Sequence, residues 1–161
     1  MKKSWREKLE REREAKIVEI TPKMAGRFGA QAGQKMVIPR PKDVEMLVRE
    51  VRKGQLITPV LLRKRLAQNY RVDIACPLTT GIFLWVVANA AFEDITMLRA
   101  TQETVTPYWR VVNNDGTLYP KFPGGFDIQA ILLQEEGHEL EEGKGKRPPR
   151  VKDFEKYLVR F

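Results

Sequence analysis

Residues 58–92 read TPVLLRKRLAQNYRVDIACPLTTGIFLWVVANAAF, and two helices joined by a short connector account for them. Thr58 followed by Pro59 is a helix start: a hydroxyl to accept a free N–H, then a residue whose missing N–H is harmless in the first turn. The helix this predicts, 59–70, buries Val60, Leu61, Leu62, Leu66 and Ala67 and turns Arg63, Lys64 and Arg65 outward. RVDIACP connects it to a helix over 78–92 that is apolar nearly all round, as expected of an element buried on most of its surface. At about 15 residues it is short for a membrane span, and Pro77, Thr79, Thr80 and Asn89 argue further against one. A helix, a turn and a buried helix in that order predict a helix-turn-helix. A major-groove reader carries Arg, Asn or Gln on its second helix to meet base edges. Here the start of that helix offers Thr79, Thr80 and Gly81, where free backbone N–H groups suit phosphate.

Working outward, Val44, Leu47, Val48 and Val51 fall at i, i+3, i+4 and i+7 and predict an amphipathic helix from Pro41 that ends by Gly54. Before it, KIVEI and KMVIP are short extended pieces around a Gly-rich loop, GRFGAQAG, read as a linker in which Arg27 stands within reach of phosphate. Residues 4–16 predict a solvated helix capped by Ser4 with Glu7 closing a capping box, a packing arm more than a DNA arm. On the other side, 93–105 is polar, RVV (110–112) predicts a short buried strand, NNDG (113–116) a tight turn, and the Pro/Gly tract after it a wing-like loop. A helix over 126–136 stops at Gly137, and the tail closes on the core through Phe154, Tyr157, Leu158 and Phe161. The fold class is therefore mostly α with a small β element: a basic N-terminal extension (1–40), a winged-helix domain (41–140) and a packing tail (141–161).

The chain's charge of +8 is unevenly placed: residues 1–75 hold 19 Lys+Arg against 9 Asp+Glu, residues 76–161 hold 10 against 12. A basic half is the footprint of a polyanion binder, although such charge also serves plain solubility. The single Cys76 excludes an internal disulfide, and MKKSWREKLEREREAK lacks the apolar stretch of a signal peptide, so a reducing, cytoplasmic setting is expected. One cysteine and one histidine also make a metal site improbable, and no cofactor is expected.

Gly54-Gln-Leu-Ile-Thr58, the apolar helix 78–92, Pro107-Tyr-Trp-Arg-Val-Val112, Asn-Asp-Gly116, Gly124-Gly125 and Leu132-Leu-Gln-Glu-Glu-Gly137 occur in one order. That order resembles the DNA-binding domain of methylated-DNA–protein cysteine methyltransferases and the related alkyltransferase-like proteins, over about residues 41–137. The resemblance implies a winged helix that docks in the minor groove and flips a damaged guanine into a pocket. The family's reacting motif is Pro-Cys-His-Arg. Here Tyr108 holds the cysteine position and Trp109 the histidine position, and the family's supporting carboxylate falls at Glu136, left without its histidine partner. A phenol with a pKa near 10 is no thiolate. The alkyltransferase-like proteins also lack the cysteine, carrying Trp in its place, and recruit other repair factors. Pro59 stands where the family has a phosphate-side tyrosine, and Thr80-Gly81 where it has an arginine finger.

The expectation is a non-enzymatic, monomeric binder of double-stranded DNA, alkylated or distorted, that hands over to repair proteins and has no place in a membrane. Thr58, Lys64, Arg65, Thr79, Thr80, Gly81, Arg110 and Asn113 are the candidate DNA contacts. Pro107, Tyr108 and Trp109 are the candidate base pocket, with core packing as the competing role for the two aromatics. Two alternatives stand beside this: a winged-helix scaffold or protein-interaction module without DNA, and an alkyltransferase using Cys76, a thiol just before a helix start. His138 reads as a capping or surface residue after Gly137.

Overall fold

The computed structural model describes residues 3–161. Its longest element is α4 (Pro77–Thr96), and the other helices gather round it: α1 (Trp5–Glu10), α2 (Pro41–Arg49), α3 (Pro59–Tyr70) and α5 (Gly125–Glu135). Phe83, Leu84, Val87, Ala88, Ala90 and Ala91 of α4 are buried against Val44, Leu47 and Val48 of α2 and Leu62 and Leu66 of α3. Burying the Val, Leu and Phe side chains among them contributes roughly 1.5–3 kcal/mol each, which is what holds helices of modest intrinsic propensity in place.

Three features of these helices differ from expectation. First, α4 runs four residues past 92, because Glu93 and Asp94 have partners on α1. The Glu93 carboxylate accepts the Trp5 and Arg6 N–H groups at 3.0 and 3.2 Å, while Asp94 pairs with Arg6 and, at 3.1 Å, with Arg99. Second, α4 is not buried all round: Leu78, Ile82 and Trp85 are 67%, 49% and 44% exposed along one face. By length and composition alone this helix could cross a membrane, yet half of its apolar stretch lies inside the core. Third, Val60 is exposed, since the first turn of α3 projects beyond the core and only Leu62, Leu66 and Ala67 point inward.

The capping box predicted at the N-terminus is present: the Ser4 hydroxyl accepts the Glu7 N–H and Glu7 accepts the Ser4 N–H. The helix it starts ends at Glu10 instead of 16. Leu9 is buried, but residues 11–14 are all charged and leave nothing to pack on the core, so one turn and a half is all that tertiary contacts support.

Strands β1 (Lys16–Glu19) and β2 (Lys35–Ile38) pair antiparallel, with Lys16 opposite Ile38 and Glu19 opposite Lys35. β2 then pairs parallel with β3 (Ile74–Ala75), a strand inside the segment read as a plain connector. The N-terminal segment is thus tied into the fold twice, by α1 on α4 and by β2 on β3. RVV is not a strand. Tyr108–Arg110 form one 3₁₀ turn, after which Val111 makes a single parallel bridge with Ile57.

The loop 113–124 is shaped by two glycines. Gly116 (φ +86°) closes the Asn113 turn, and a Cβ there would stand 2.5 Å from Phe154. Gly124 (φ +77°) caps α5, with Ile128 where its Cβ would be. Beyond α5, β4 (Leu140–Glu141) pairs with β5 (Arg150–Val151), and a 3₁₀ turn at Phe154–Tyr157 leads to a bridge between Leu158 and Leu56.

Candidate nucleic-acid interface

Three segments meet at a groove of about 790 Å³: the start of α3 (Pro59, Arg63), the start of α4 (Pro77 to Trp85) and loop residues Tyr119, Lys121 and Phe122. Its walls are largely apolar, its charged side chains are Arg63 and Lys121, and among the described residues no carboxylate lines it. Aromatic rings lead from the groove to the core. Tyr119 stacks on Phe122 at 4.3 Å and 12°, Phe122 meets Tyr108 edge-on at 5.5 Å, and Tyr108 meets Trp109 edge-on at 5.6 Å. Burial pushes the Tyr119 phenol up to about 12 against the opposing pull of Arg63, and burial pushes Tyr108 up to about 12 as well. Both stay neutral at physiological pH.

Pro107, Tyr108 and Trp109 do not form the pocket. All three are buried, Tyr108 and Trp109 to 1% exposure, and Tyr108 lies one ring behind the groove wall. The reason is the carboxylate beneath them. Glu136 accepts the Trp109 indole N–H at 3.1 Å and two further bonds from Arg110, whose Nη1 also donates to the Val51 carbonyl at 2.7 Å. Burial acts to raise the Glu136 carboxyl, but the hydrogen bonds from Arg110 and Trp109 outweigh it and hold it below the ordinary carboxylate range. Glu136 is therefore not left without a partner: the Trp109 indole and the Arg110 guanidinium both donate to it. An indole N–H donates and never accepts a proton, so this arrangement anchors the loop and activates nothing. Gln129, fully buried, completes the anchor by accepting the Tyr119 N–H and donating to the Trp109 and Val111 carbonyls.

The candidate DNA contacts divide into three groups. Thr58, Arg110 and Asn113 are used by the fold: Thr58 caps α3 through the Leu61 N–H, Arg110 pairs with Glu136, and Asn113 donates to Thr117 and the Leu118 carbonyl. Arg65 lies half-buried with its guanidinium 5.0 Å from the Phe161 ring, so its outward path is covered by the tail, whereas Lys64 is exposed. Thr80 and Gly81 line the groove, with Thr79 beside them donating to the Cys76 sulfur at 3.2 Å. Thr80 is 1% exposed, and its hydroxyl has no partner among the described residues. Nor do the N–H groups of Leu78 and Thr79 find an acceptor there.

Arg63, Tyr119, Lys121 and Phe122 are the groove residues that sequence reasoning missed. The sequence places Arg63 only on the outward face of its helix and YPKF only within a wing-like loop. Two aromatics three apart inside a Pro/Gly tract were the available signal, since a loop with nothing to bury has little use for rings. Cys76 is buried in a small cluster with Ile20, Ala30 and Met36. Among the described residues no group of three His, Cys, Asp or Glu side chains is placed to hold a metal ion. His138 is not a surface residue. It is 5% exposed, packs edge-on to Tyr157 at 4.7 Å, and burial lowers its pKa against the opposing charge of Glu136.

No protein-family model and no curated protein matches the chain. Among solved structures it matches S. pombe Atl1, in a crystal structure of its complex with damaged DNA containing O6-carboxymethylguanine. The identity is 19% and the TM-score 0.50, over 74% of this chain and 94% of that one. At that identity the likeness is one of fold, that of an alkyltransferase-like protein.

Proposed function

We propose that this chain is a non-enzymatic, monomeric DNA-binding protein of the cytoplasm that recognises modified or distorted duplex. In this reading α3, α4 and the loop 113–124 act as a winged helix, and the groove between them receives an extruded base. The groove carries the proposal: it is apolar and aromatic, cationic at Arg63 and Lys121, and bounded by the open start of α4. A planar base suits such walls, and free helix N–H groups with nearby cations suit its flanking phosphate. The shared fold with a protein seen bound to damaged DNA, and the basic first half of the chain, support the same partner. Chemistry on the base has no support: the phenol of Tyr108 is buried and neutral, Trp109 cannot serve as a base, and Cys76 has no His or Lys beside it in sequence.

The exposed face of Leu78, Ile82 and Trp85 favours a second reading, a scaffold that offers this helix to a protein partner. Fluorescence anisotropy separates the two. With plain, alkylguanine-containing and mismatched duplexes at two salt concentrations, DNA recognition gives a log–log salt slope of roughly −4 to −5 and tighter binding to the altered duplexes. A flat salt response on all three supports the scaffold.

A further inference from the structure

The lobe built from β1, β2, β3 and the loop 21–34 has a charge that nothing in the groove accounts for. Lys16, Lys23, Arg27, Lys35 and Arg71 are all exposed, and none is paired with a carboxylate among the described residues. The lobe's acidic side chains are Glu19 and Asp73. Both stand around Lys35: Glu19 is its cross-strand partner, and Asp73 accepts its N–H at 2.8 Å. Lys23 and Arg27, on the loop, form no ion pair among the described residues.

The lobe is also fixed in place. Ile20, Ala30, Met36 and Cys76 form its small core, with Met24 and Phe28 of the loop packed against them. Cys76 is the residue that precedes α4, so the small core of this lobe shares a residue with the helix start that borders the groove, while the loop bearing Lys23 and Arg27 lies outside the groove lining. Gly26, between the two cations, has open space where a Cβ would be.

We infer that this lobe is a second phosphate-binding surface, which extends the contact with duplex beyond the groove on the α4 side. The inference rests on the DNA-binding reading above. Groups at this surface meet backbone phosphates alone, so they raise affinity for every sequence equally and lengthen the duplex needed for full binding.

The test is a Lys23→Gln/Arg27→Gln variant against wild type and a charge-matched control, Lys152→Gln/Lys156→Gln, by anisotropy across a salt series on a short and a long duplex. Each lost phosphate contact lowers the slope by about 0.9, so the lobe variant should lose roughly 1–2 from the magnitude of the slope on the long duplex. It should lose little on the short duplex and keep its preference for altered bases. The inference fails if wild type shows steep binding and the lobe variant matches the control on both duplexes. A wild type without salt-dependent binding instead sinks the DNA reading first, and the two failures are told apart by that one curve. Melting curves of the variants, expected to match wild type because both side chains are exposed, exclude misfolding as the cause.

Discussion

Helices α3 and α4 both begin on a proline after an extended residue, yet the fold finishes one start and leaves the other open. At α3, the Leu61 N–H is taken by Thr58 and the Val60 N–H by Asn114, a side chain delivered from the tight turn 113–116. The segment before it is pinned as well: Arg110 holds the Val51 carbonyl, Glu136 accepts the Gly54 N–H, and Ile57 exchanges backbone bonds with Arg110 and Val112. At α4, Cys76 supplies no side-chain capping bond, the N–H groups of Leu78 and Thr79 find no acceptor among the described residues, and the hydroxyl of groove-lining Thr80 has no partner there. Two similar sequence signals therefore serve different ends. A helix start whose donors the chain itself satisfies is structure. One that it leaves unsatisfied beside an apolar groove is where a ligand finds hydrogen bonds waiting.

The largest expected effect lies on the closed side. Glu136→Ala leaves the Arg110 guanidinium buried without its charge partner, and breaking such a pair costs about 3–5 kcal/mol. Thermal or urea melts should show that loss, while binding to plain and altered duplexes should weaken together. A variant that melts like wild type would show that the anchor holds nothing.

Next comes the open side. Tyr119→Ala removes one groove wall, and stacking against a base is worth about 1–3 kcal/mol. Affinity for an alkylated or mismatched duplex should fall about tenfold or more, with plain duplex nearly unchanged. Equal losses on both would move the recognition surface away from the groove.

The two threonines give the sharpest contrast at lower magnitude. Thr58→Ala should cost about 1 kcal/mol of stability as a lost helix cap. Thr80→Val removes a buried hydroxyl that makes no bond within the fold, so stability should hold or rise. Its measurable effect should be on DNA binding. If Thr80→Val destabilises as much as Thr58→Ala, the hydroxyl is doing structural work and the start of α4 is not open in the sense argued above.

The smallest effect is a pH dependence of the closed side alone. Burial lowers the pKa of His138, so the unfolded chain binds the proton more readily than the folded one. Stability from this group is present above its unfolded pKa of 6.5 and is lost as pH falls through the lower folded value. Melting temperature should therefore drop modestly on going from neutral to mildly acidic buffer, and His138→Phe should flatten that drop. Duplex discrimination should not follow it, because Tyr119, held near 12, does not titrate in that range.

How much was legible in the sequence depends on the range over which each signal acts. Ser4 with Glu7, Thr58 with Pro59, the 3.6-residue spacing of Val44, Leu47 and Val48, and Gly116 in its turn are local, and each formed as read, although α2 ends at Arg49, so that Val51 is buried just beyond the helix. Where the reading failed, a distant partner decided. Glu93 and Asp94 read as the start of a polar stretch after the helix, but Arg6 and the first N–H groups of α1 use them and the helix continues through them. Tyr108 and Trp109 looked as much like pocket as core, because an aromatic ring serves either and only its neighbours choose.

By itself, then, the sequence determined the helix starts and the basic first half, since propensity, capping and charge are properties of neighbouring residues. The tertiary structure alone decided that Glu136 takes an indole and a guanidinium together, that Tyr119 and Phe122 wall the groove while Tyr108 stands behind it, and that α4 opens where α3 closes. Each of those outcomes turns on whether a polar or aromatic group meets a partner tens of residues away, and the burial that sets its cost exists only once the chain has folded.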